Sequence, residues 1–327
     1  MTTLITGGAG YIGAHVGLAL KAAGEPVVVL DDLSAGRIEM IPAKAHFIQG
    51  DAGDAGLVGR VLTEHRIDAI VHCAGSIVVA QSVERPLDYY LNNTAKTRTL
   101  IETALGAGVR RLVFSSTAAV YGAPEIGATP ETAPTRPINP YGRSKLASEF
   151  MIQDAAIAHG LRYGILRFFN VAGADPQGRA GQVSPRATHL IQVAAEAALG
   201  RRPRVEIYGD DYDTPDGTCV RDYIHVSDLA LAHVKLLRWL KDGGVSRTYN
   251  CGYGHGTSVR QVLAAMRRVS GIDFEVRIAD RRPGDPATLV ADARRLKRQL
   301  KWRPAFAGLD GIVASALAWE RKVRGEA

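Results

Sequence analysis

Thr3-Leu4-Ile5-Thr6-Gly7-Gly8-Ala9-Gly10-Tyr11-Ile12-Gly13 is an aliphatic run, a glycine-dense turn and the first residues of a helical pattern that continues to Ala23. The turn reads as Gly8-x-Gly10-x-x-Gly13 or as Gly7-x-x-Gly10-x-x-Gly13, and both are dinucleotide-binding spacings. Glycine is required where the turn needs positive φ, where a side chain would hold the backbone off a pyrophosphate, and where the helix packs close to the sheet. The helix start then offers free N–H groups and partial positive charge to phosphates. A second aliphatic run, Val27-Val28-Val29-Leu30, ends in Asp31, 18 residues after Gly13. A carboxylate there accepts hydrogen bonds from ribose hydroxyls and repels a 2′-phosphate, which favours NAD over NADP. A turn cap is the plainer reading for its neighbour Asp32, and for Asp51 after Gly50.

Outward from this turn the pattern repeats. Short β-rich runs at Thr3 to Thr6, Pro26 to Leu30, Ala45 to Ile48, Ala69 to His72, Arg111 to Phe114 and Tyr163 to Phe168 alternate with helical stretches. The helical stretches are Tyr11 to Ala23, Leu57 to His65, Tyr89 to Leu105 and Tyr141 to Ala158. Alternation of this kind predicts an α/β fold, a doubly wound parallel Rossmann sheet. Beyond Asn170 the pattern is less regular, with Gly/Pro/Asp-rich stretches at Ala174 to Pro185 and Gly209 to Gly217. We therefore expect an NAD-binding domain over 1–170 and a smaller α/β part over 171–327 that covers the crevice beyond the strand ends.

At 327 residues, 46% hydrophobic and 22% charged, the chain can bury a large core. Its net charge of +7 favours anionic ligands. No zinc-finger spacing or RNP-type aromatic motif points to nucleic acid. The dense basic run Arg294 to Arg303 places Leu296 and Leu300 four apart, as on a helix with one apolar stripe and a solvated face. Three cysteines, Cys73, Cys219 and Cys251, form neither a disulfide framework nor a metal knuckle, so no metal is expected. Cys219 reads as a packed thiol, and the histidines at 72 and 225 as packing or capping residues. With no apolar leader and no long apolar stretch, a cytoplasmic chain without membrane association is expected.

Ser115-Ser116-Thr117 follows Leu112-Val113-Phe114 at the sheet edge where ligands bind. Asn139-Pro140-Tyr141-Gly142-Arg143-Ser144-Lys145 reads as a helix start, with Asn as N-cap, Pro in the first turn, and Tyr141 and Lys145 on one face. A phenol titrates near pH ~10. It serves as a base near neutrality only if cations stabilise its phenolate, and Lys145 and an oxidised nicotinamide could supply that field.

Glycine turn, Asp31, hydroxyl strand end and Tyr-x-x-x-Lys, in this order, resemble the extended short-chain dehydrogenase/reductase family. Within it the similarity narrows to the UDP-glucose 4-epimerases, through TGGAGYIGAH, HCAGSIVVAQSVERPLDYYLNN from His72, VFSSTAAVYG from Val113, NPYGRSK, RFFNVAGA from Arg167, GDDYDTPDGTCVRDYIHVSDLA from Gly209 and RRPGDPATLVAD from Arg281. The resemblance implies NAD contacts at Gly7, Gly10, Tyr11, Ile12, Gly13, Asp31, Asp51, Ala52, Cys73, Ala74, Gly75, Asn92, Ser115, Tyr141, Lys145 and Phe169. It implies that Tyr141 is the base, that Thr117 bonds the sugar 4-OH, and that Lys145 bridges the nicotinamide ribose. It places the UDP-sugar against Thr117, Tyr141, Asn170, His189, Leu190, Tyr208, Arg221, Arg282 and Asp285, the arginines being forked donors suited to a diphosphate. Standing alone, Arg221 and Asp222 would read as a surface pair and Tyr208 as a core aromatic.

Two positions depart from the pattern. Ile77 stands where many members carry a lysine that contacts the cofactor, and Leu289 stands where members restricted to UDP-glucose have a bulky Tyr, which leaves room for a C2 N-acetyl group. The implied activity is reversible C4 epimerisation of UDP-glucose and UDP-galactose through a 4-keto sugar. Alternatives are epimerisation of another UDP-sugar, and a non-catalytic NAD-sensing protein. A dehydratase would need an acid/base pair that Ser115 to Ala118 do not supply. The family also implies a homodimer packed through the helices at Tyr89 to Leu105 and Tyr141 to Ala158.

Overall fold

The computed structural model describes residues 1–327 except 125–126, 184–188, 283, 324, 326 and 327, so the end of the Ala174 to Pro185 stretch lies outside the described residues. Seven parallel strands form the main sheet: β1 (Thr3–Thr6), β2 (Val27–Asp31), β3 (His46–Gln49), β4 (Ala69–His72), β5 (Arg111–Thr117), β6 (Arg162–Phe168) and β7 (Arg247–Cys251). Their order is β7-β6-β5-β4-β1-β2-β3. The order reverses between β1 and β4, which opens a crevice at their carboxyl ends.

Successive residues of each central strand serve opposite faces. Ile5, Val29, Val71, Val113 and Leu166 join one apolar cluster with helices α1 (Tyr11–Ala22) and, later in the chain, Val226–Lys241. Leu4, Val28, Ile70, Leu112 and Ile165 join another. That second cluster packs on α2 (Ala55–Glu64), α3 (Lys96–Gly106) and α4 (Pro140–His159). Coverage on both faces is why β1, β2 and β4 read as unbroken aliphatic runs.

A smaller sheet sets Val220–Arg221 between Thr257–Ser258 and Thr288–Ala291, with Ala128–Thr129 at the far edge. Two parallel pairs, Asn170–Ala172 with Tyr223–His225 and Val205–Tyr208 with Val276–Ala279, complete the second part. Elements from both sides of residue 170 contribute to the seven-stranded sheet and to the four-stranded one. Ala128–Thr129 crosses into the small sheet, while α5 (Val226–Lys241) and β7 return to the large one.

Other departures have local causes. The strand expected to end at Phe114 runs on to Thr117, because Ser115, Ser116 and Thr117 pair with Leu166, Arg167 and Phe168. The helix expected over Tyr89 to Leu105 is a short Pro86–Tyr89 turn, a wide π-turn at Tyr90–Ala95, and α3. In that turn the Asn93 carbonyl accepts the hydroxyls of Thr97 and Ser148. The basic run forms a helix over Arg294–Gln299 with Leu296 and Leu300 buried, and His225 caps α5 by accepting the Ser227 N–H. No described helix is long and apolar enough to cross a membrane.

Tyr141, Lys145 and Glu149 lie at four-residue steps on α4. Glu149 is fully buried; it accepts the Ser116 hydroxyl and pairs with Arg167 of β6, Nη2 to Oε2 2.6 Å. Arg167 also donates to the Tyr121 hydroxyl at 3.0 Å, and Tyr121 donates to Asn250 of β7 at 2.6 Å. Deleting one partner of a buried ion pair strands the other charge. Glu149→Ala is therefore expected to cost about 3–5 kcal/mol. Denaturant unfolding checks this, and a loss below about 1 kcal/mol would mean that the pair behaves as a solvated surface pair.

Candidate active site

The glycine turn resolves the two sequence readings. Gly7 has φ +71°, and a Cβ on it would lie 2.6 Å from the Ala74 nitrogen. Gly10 is the N-cap of α1, and a Cβ on Gly13 would lie 2.1 Å from the Gly7 carbonyl oxygen. The working spacing is Gly7-x-x-Gly10-x-x-Gly13, while Gly8 packs against Val29. Asp31, at the end of β2, accepts N–H groups of Ala9 (2.9 Å) and Leu33 (2.8 Å). It therefore also braces the turn, as Asp32 braces the Ser34 N–H. Burial pushes the Asp31 carboxyl above its ordinary range, against the pull of those N–H donors. Asp51 accepts the Gly53 N–H and pairs with Lys96 at 2.6 Å, so its carboxylate is already engaged; Ala52 beside it is buried.

At the ends of β4 and β5, Cys73 Sγ meets Ser115 Oγ at 3.2 Å and Ser115 meets His233 at 2.8 Å. His72 is buried between Thr6 and Thr97, a packing role. A Cβ on Gly75 would stand 3.8 Å from Lys145 Nζ. Asn92 donates to the Ser76 hydroxyl at 2.8 Å. The sequence reading passed over Asn93, which accepts the Ser76 N–H (2.7 Å) and donates to the Ser76 carbonyl and the Ser144 hydroxyl. It thereby ties the loop after β4 to the first turns of α4, and only the doubled Asn92-Asn93 hinted at it.

Asn139 caps α4 by accepting the Gly142 N–H at 2.8 Å, with Pro140 in the first turn. This delivers Tyr141 and Lys145 to the crevice. Burial pushes the Tyr141 phenol up to about 12, opposed by a hydrogen bond with Thr117. Burial brings Lys145 down to about 8, with Cys73 and Glu149 pulling it back up. The Lys145 ammonium rests 4.3 Å from the Phe114 ring centroid and has no hydrogen-bond partner among the described residues. A glycine cradle that a Cβ would fill, a carboxylate at the end of β2 and the ammonium of a largely buried lysine fit a dinucleotide.

The second cluster lies on the small sheet. The Arg282 guanidinium stacks 3.7 Å from the Tyr208 ring centroid, so Tyr208 is not a core aromatic. Arg221 meets Asp285 at 3.5 Å and pairs in register with Leu289. Asp222 is no surface partner of Arg221: it is fully buried and accepts N–H groups of Tyr253, Gly254 and Ala291. Asn170 donates its N–H to the Asp222 carbonyl. Phe169, with Ala118 and half-buried Leu289, forms the apolar seam between the two clusters. Tyr11 donates its hydroxyl to the Gly173 carbonyl at 2.7 Å and shares a small cavity with His189 and Gln192. His189 stands exposed before the helix Leu190–Ala198.

This chain belongs to the NAD dependent epimerase/dehydratase family, whose model matches residues 3–252. A UDP-glucose 4-epimerase of Azospirillum brasilense is 61% identical over 320 residues, 98% of this chain and 92% of that one. The crystal structure of UDP-glucose 4-epimerase from Brucella ovis in complex with NAD superposes with a TM-score of 0.94 at 41% identity, covering 97% of each chain. The UDP-Glc/GlcNAc 4-epimerase of Campylobacter jejuni matches with a TM-score of 0.87 at 47% identity, covering 98% of this chain and 99% of that one.

The raised Tyr141 phenol has a measurable consequence. Burial keeps it protonated near neutral pH, and a cationic nicotinamide placed beside it would lower its pKa. Loading the protein with NAD near neutral pH is expected to produce phenolate difference absorbance that Tyr141→Phe lacks. Equal signals from the two proteins would remove the phenolate.

Proposed function

We propose that this chain interconverts UDP-glucose and UDP-galactose by reversible, NAD-dependent epimerisation at C4. The observation that carries the reading is the pairing of buried Tyr141 and Lys145 on one face of α4, with Thr117 close enough to oppose the rise of the Tyr141 phenol and the Lys145 ammonium beside Gly75. Thr117 orients the sugar 4-OH, and Tyr141 takes its proton. When bound, NAD takes the C4 hydrogen as hydride and gives it back to the opposite face of the 4-keto sugar. Lys145 holds the nicotinamide ribose and supplies positive charge for the Tyr141 phenolate. Gly7, Gly10, Tyr11, Ile12 and Gly13 cradle the pyrophosphate, and Asp31 takes the adenosine ribose. Asp51 and Ala52 flank the adenine, and Cys73, Ala74, Gly75, Asn92, Ser115 and Phe169 line the nicotinamide end.

Arg221 and Arg282 grip the diphosphate while the keto sugar turns over, with Tyr208, Asp285, Asn170, His189 and Leu190 holding the remaining UDP. Ser115 to Ala118 offer no acid for elimination, and Glu149 is committed to Arg167, which argues against dehydration. Leu289 leaves space at C2 of the sugar, and the similarity to an enzyme named for both UDP-Glc and UDP-GlcNAc supports activity on UDP-N-acetylhexosamines. Ile77, 47% exposed, offers no charge to the cofactor, so a contact made by lysine in relatives is lost or replaced here. A cytoplasmic location suits the nucleotide substrates.

The protein acts as a homodimer. Val83, Leu87 and Leu91 on the segment before α3, and Phe150 and Ile157 on α4, expose an apolar face, with Leu87 78% and Ile157 85% accessible. Apolar exposure of this extent on neighbouring helices, interrupted by the Arg85–Asp88 ion pair and Asp154, suits a second copy of the chain, packed as four helices. Sedimentation is expected to give twice 35.0 kDa for the native chain and a single chain mass for Leu87→Glu with Ile157→Glu. A native monomer would end this reading.

The activity test supplies UDP-galactose to purified protein, with and without added NAD, and follows UDP-glucose by chromatography. Conversion is expected, together with slower turnover of UDP-N-acetylglucosamine. Tyr141→Phe is expected to keep NAD binding and lose on the order of 10²–10⁴-fold in turnover, the usual contribution of a general base. Near-native turnover by that variant would remove Tyr141 from the role, and no conversion of either sugar with NAD present would remove the substrate assignment.

A further inference from the structure

A chain of buried hydrogen bonds runs from the nicotinamide end of the crevice into α5. Cys73 Sγ is 3.2 Å from Ser115 Oγ, Ser115 Oγ is 2.8 Å from His233 Nε2, and His233 Nδ1 is 2.9 Å from the Leu229 carbonyl oxygen. Ser115 and His233 are buried, and His233 is wholly inaccessible.

The direction of each hydrogen follows from the far end. A carbonyl can only accept, so His233 Nδ1 carries a hydrogen. Burial keeps the imidazole neutral, bringing its pKa down to about 4, so Nε2 is bare and can only accept. Ser115 has one hydrogen, and it is committed to His233. Its oxygen is left to accept the Cys73 S–H, which burial keeps in place by pushing the thiol up to about 11. The valences left uncommitted at the ends of β4 and β5 are lone pairs on Ser115 Oγ and Cys73 Sγ.

These acceptor ends distinguish the two states of a nicotinamide. The oxidised ring is cationic and the reduced ring is neutral, so negative dipole ends stabilise the former. Lys145, whose Nζ lies 3.8 Å from where a Cβ on Gly75 would stand, acts in the opposite sense. An epimerase must give back its hydrogen in every turnover, and a bias toward the oxidised ring keeps the keto sugar short-lived.

We propose that His233, acting through Ser115 and Cys73, is a positioning residue that biases bound NAD toward its oxidised form. The inference rests on the reading of Ser115 and Cys73 as cofactor contacts. The test uses NAD-loaded protein and two measurements of the reduced-to-oxidised ratio. One reads nicotinamide absorbance at steady state with saturating UDP-galactose; the other, without sugar, equilibrates the bound cofactor with a redox dye of known potential.

Ser115→Ala and His233→Phe are expected to raise the ratio on the order of threefold to tenfold, the effect of one lost hydrogen-bond dipole. His233→Gln, whose amide can donate to Leu229 and accept from Ser115, is expected to return it toward the native value. An unchanged dye-equilibrated ratio in Ser115→Ala, or a His233→Gln ratio as high as that of His233→Phe, overturns the proposal. If His233→Phe does not fold, Ser115→Ala decides alone. A native protein silent toward sugar but showing the dye shift would sink the substrate reading and leave this inference standing.

Discussion

The buried ion pair between Glu149 and Arg167 fixes where α4 sits along the sheet, and the candidate site depends on that register. Tyr141, Lys145 and Glu149 repeat at four-residue steps, so a slip of one turn, about 5.4 Å, would present a similar stripe to β5. One register puts the Glu149 carboxylate against both the Arg167 guanidinium and the Ser116 hydroxyl. Desolvating two charges offsets most of their attraction, so the pair contributes less to net stability than to excluding other registers. Ser116 sits between Ser115 and Thr117, so the same carboxylate also fixes the strand end that carries both hydroxyls.

From Arg167 the network continues outward. Tyr121 bridges to Asn250, whose amide donates to the Thr129 carbonyl at 2.8 Å and whose N–H donates to Glu131 at 3.1 Å. Ala128–Thr129 pairs with the strand holding Leu289, and that strand pairs with Val220–Arg221. Hydrogen bonds therefore connect the helix bearing Tyr141 to the strands bearing Arg221 and Leu289. The distance between the end that would do chemistry and the end that would grip a diphosphate is set by these links, and the apolar seam around Phe169 fills the space between them.

What could be read before any coordinates follows from how local each signal is. β1 and β4 were legible to the residue, because strands covered on both faces write themselves as aliphatic runs between breakers. The place of Asp31 at the end of β2 was legible because strand, turn and helix have nearly fixed lengths. The π-turn at Tyr90–Ala95 was not, since an α-helix and a helix with one wide turn share nearly the same apolar period. The extension of β5 through Ser115–Thr117 was hidden because three hydroxyl residues look like a loop until a partner strand is known. The return of α5 and β7 to the large sheet is a long-range pairing that no window of sequence contains. Arg221 and Asp222 show the limit most clearly: adjacent opposite charges suggest one pair, yet the carboxylate turns inward to three backbone N–H groups while the guanidinium turns to Asp285.

Burial acts on Tyr141 and Lys145 in opposite directions on the pH scale and with one physical meaning, because it penalises the charged form of each. At neutral pH Lys145, brought down to about 8, still holds most of its charge, whereas Tyr141, raised to about 12, holds its proton firmly. On the proposed reading the protein alone supplies part of the field a phenolate would need and would leave the rest to a cationic ring. A site arranged this way has no strong base to expose to water when empty. On that reading it would gain one when a cofactor arrives, and binding and activation would be one event. The same desolvation that makes the empty site inert strengthens every charge interaction once the crevice is filled.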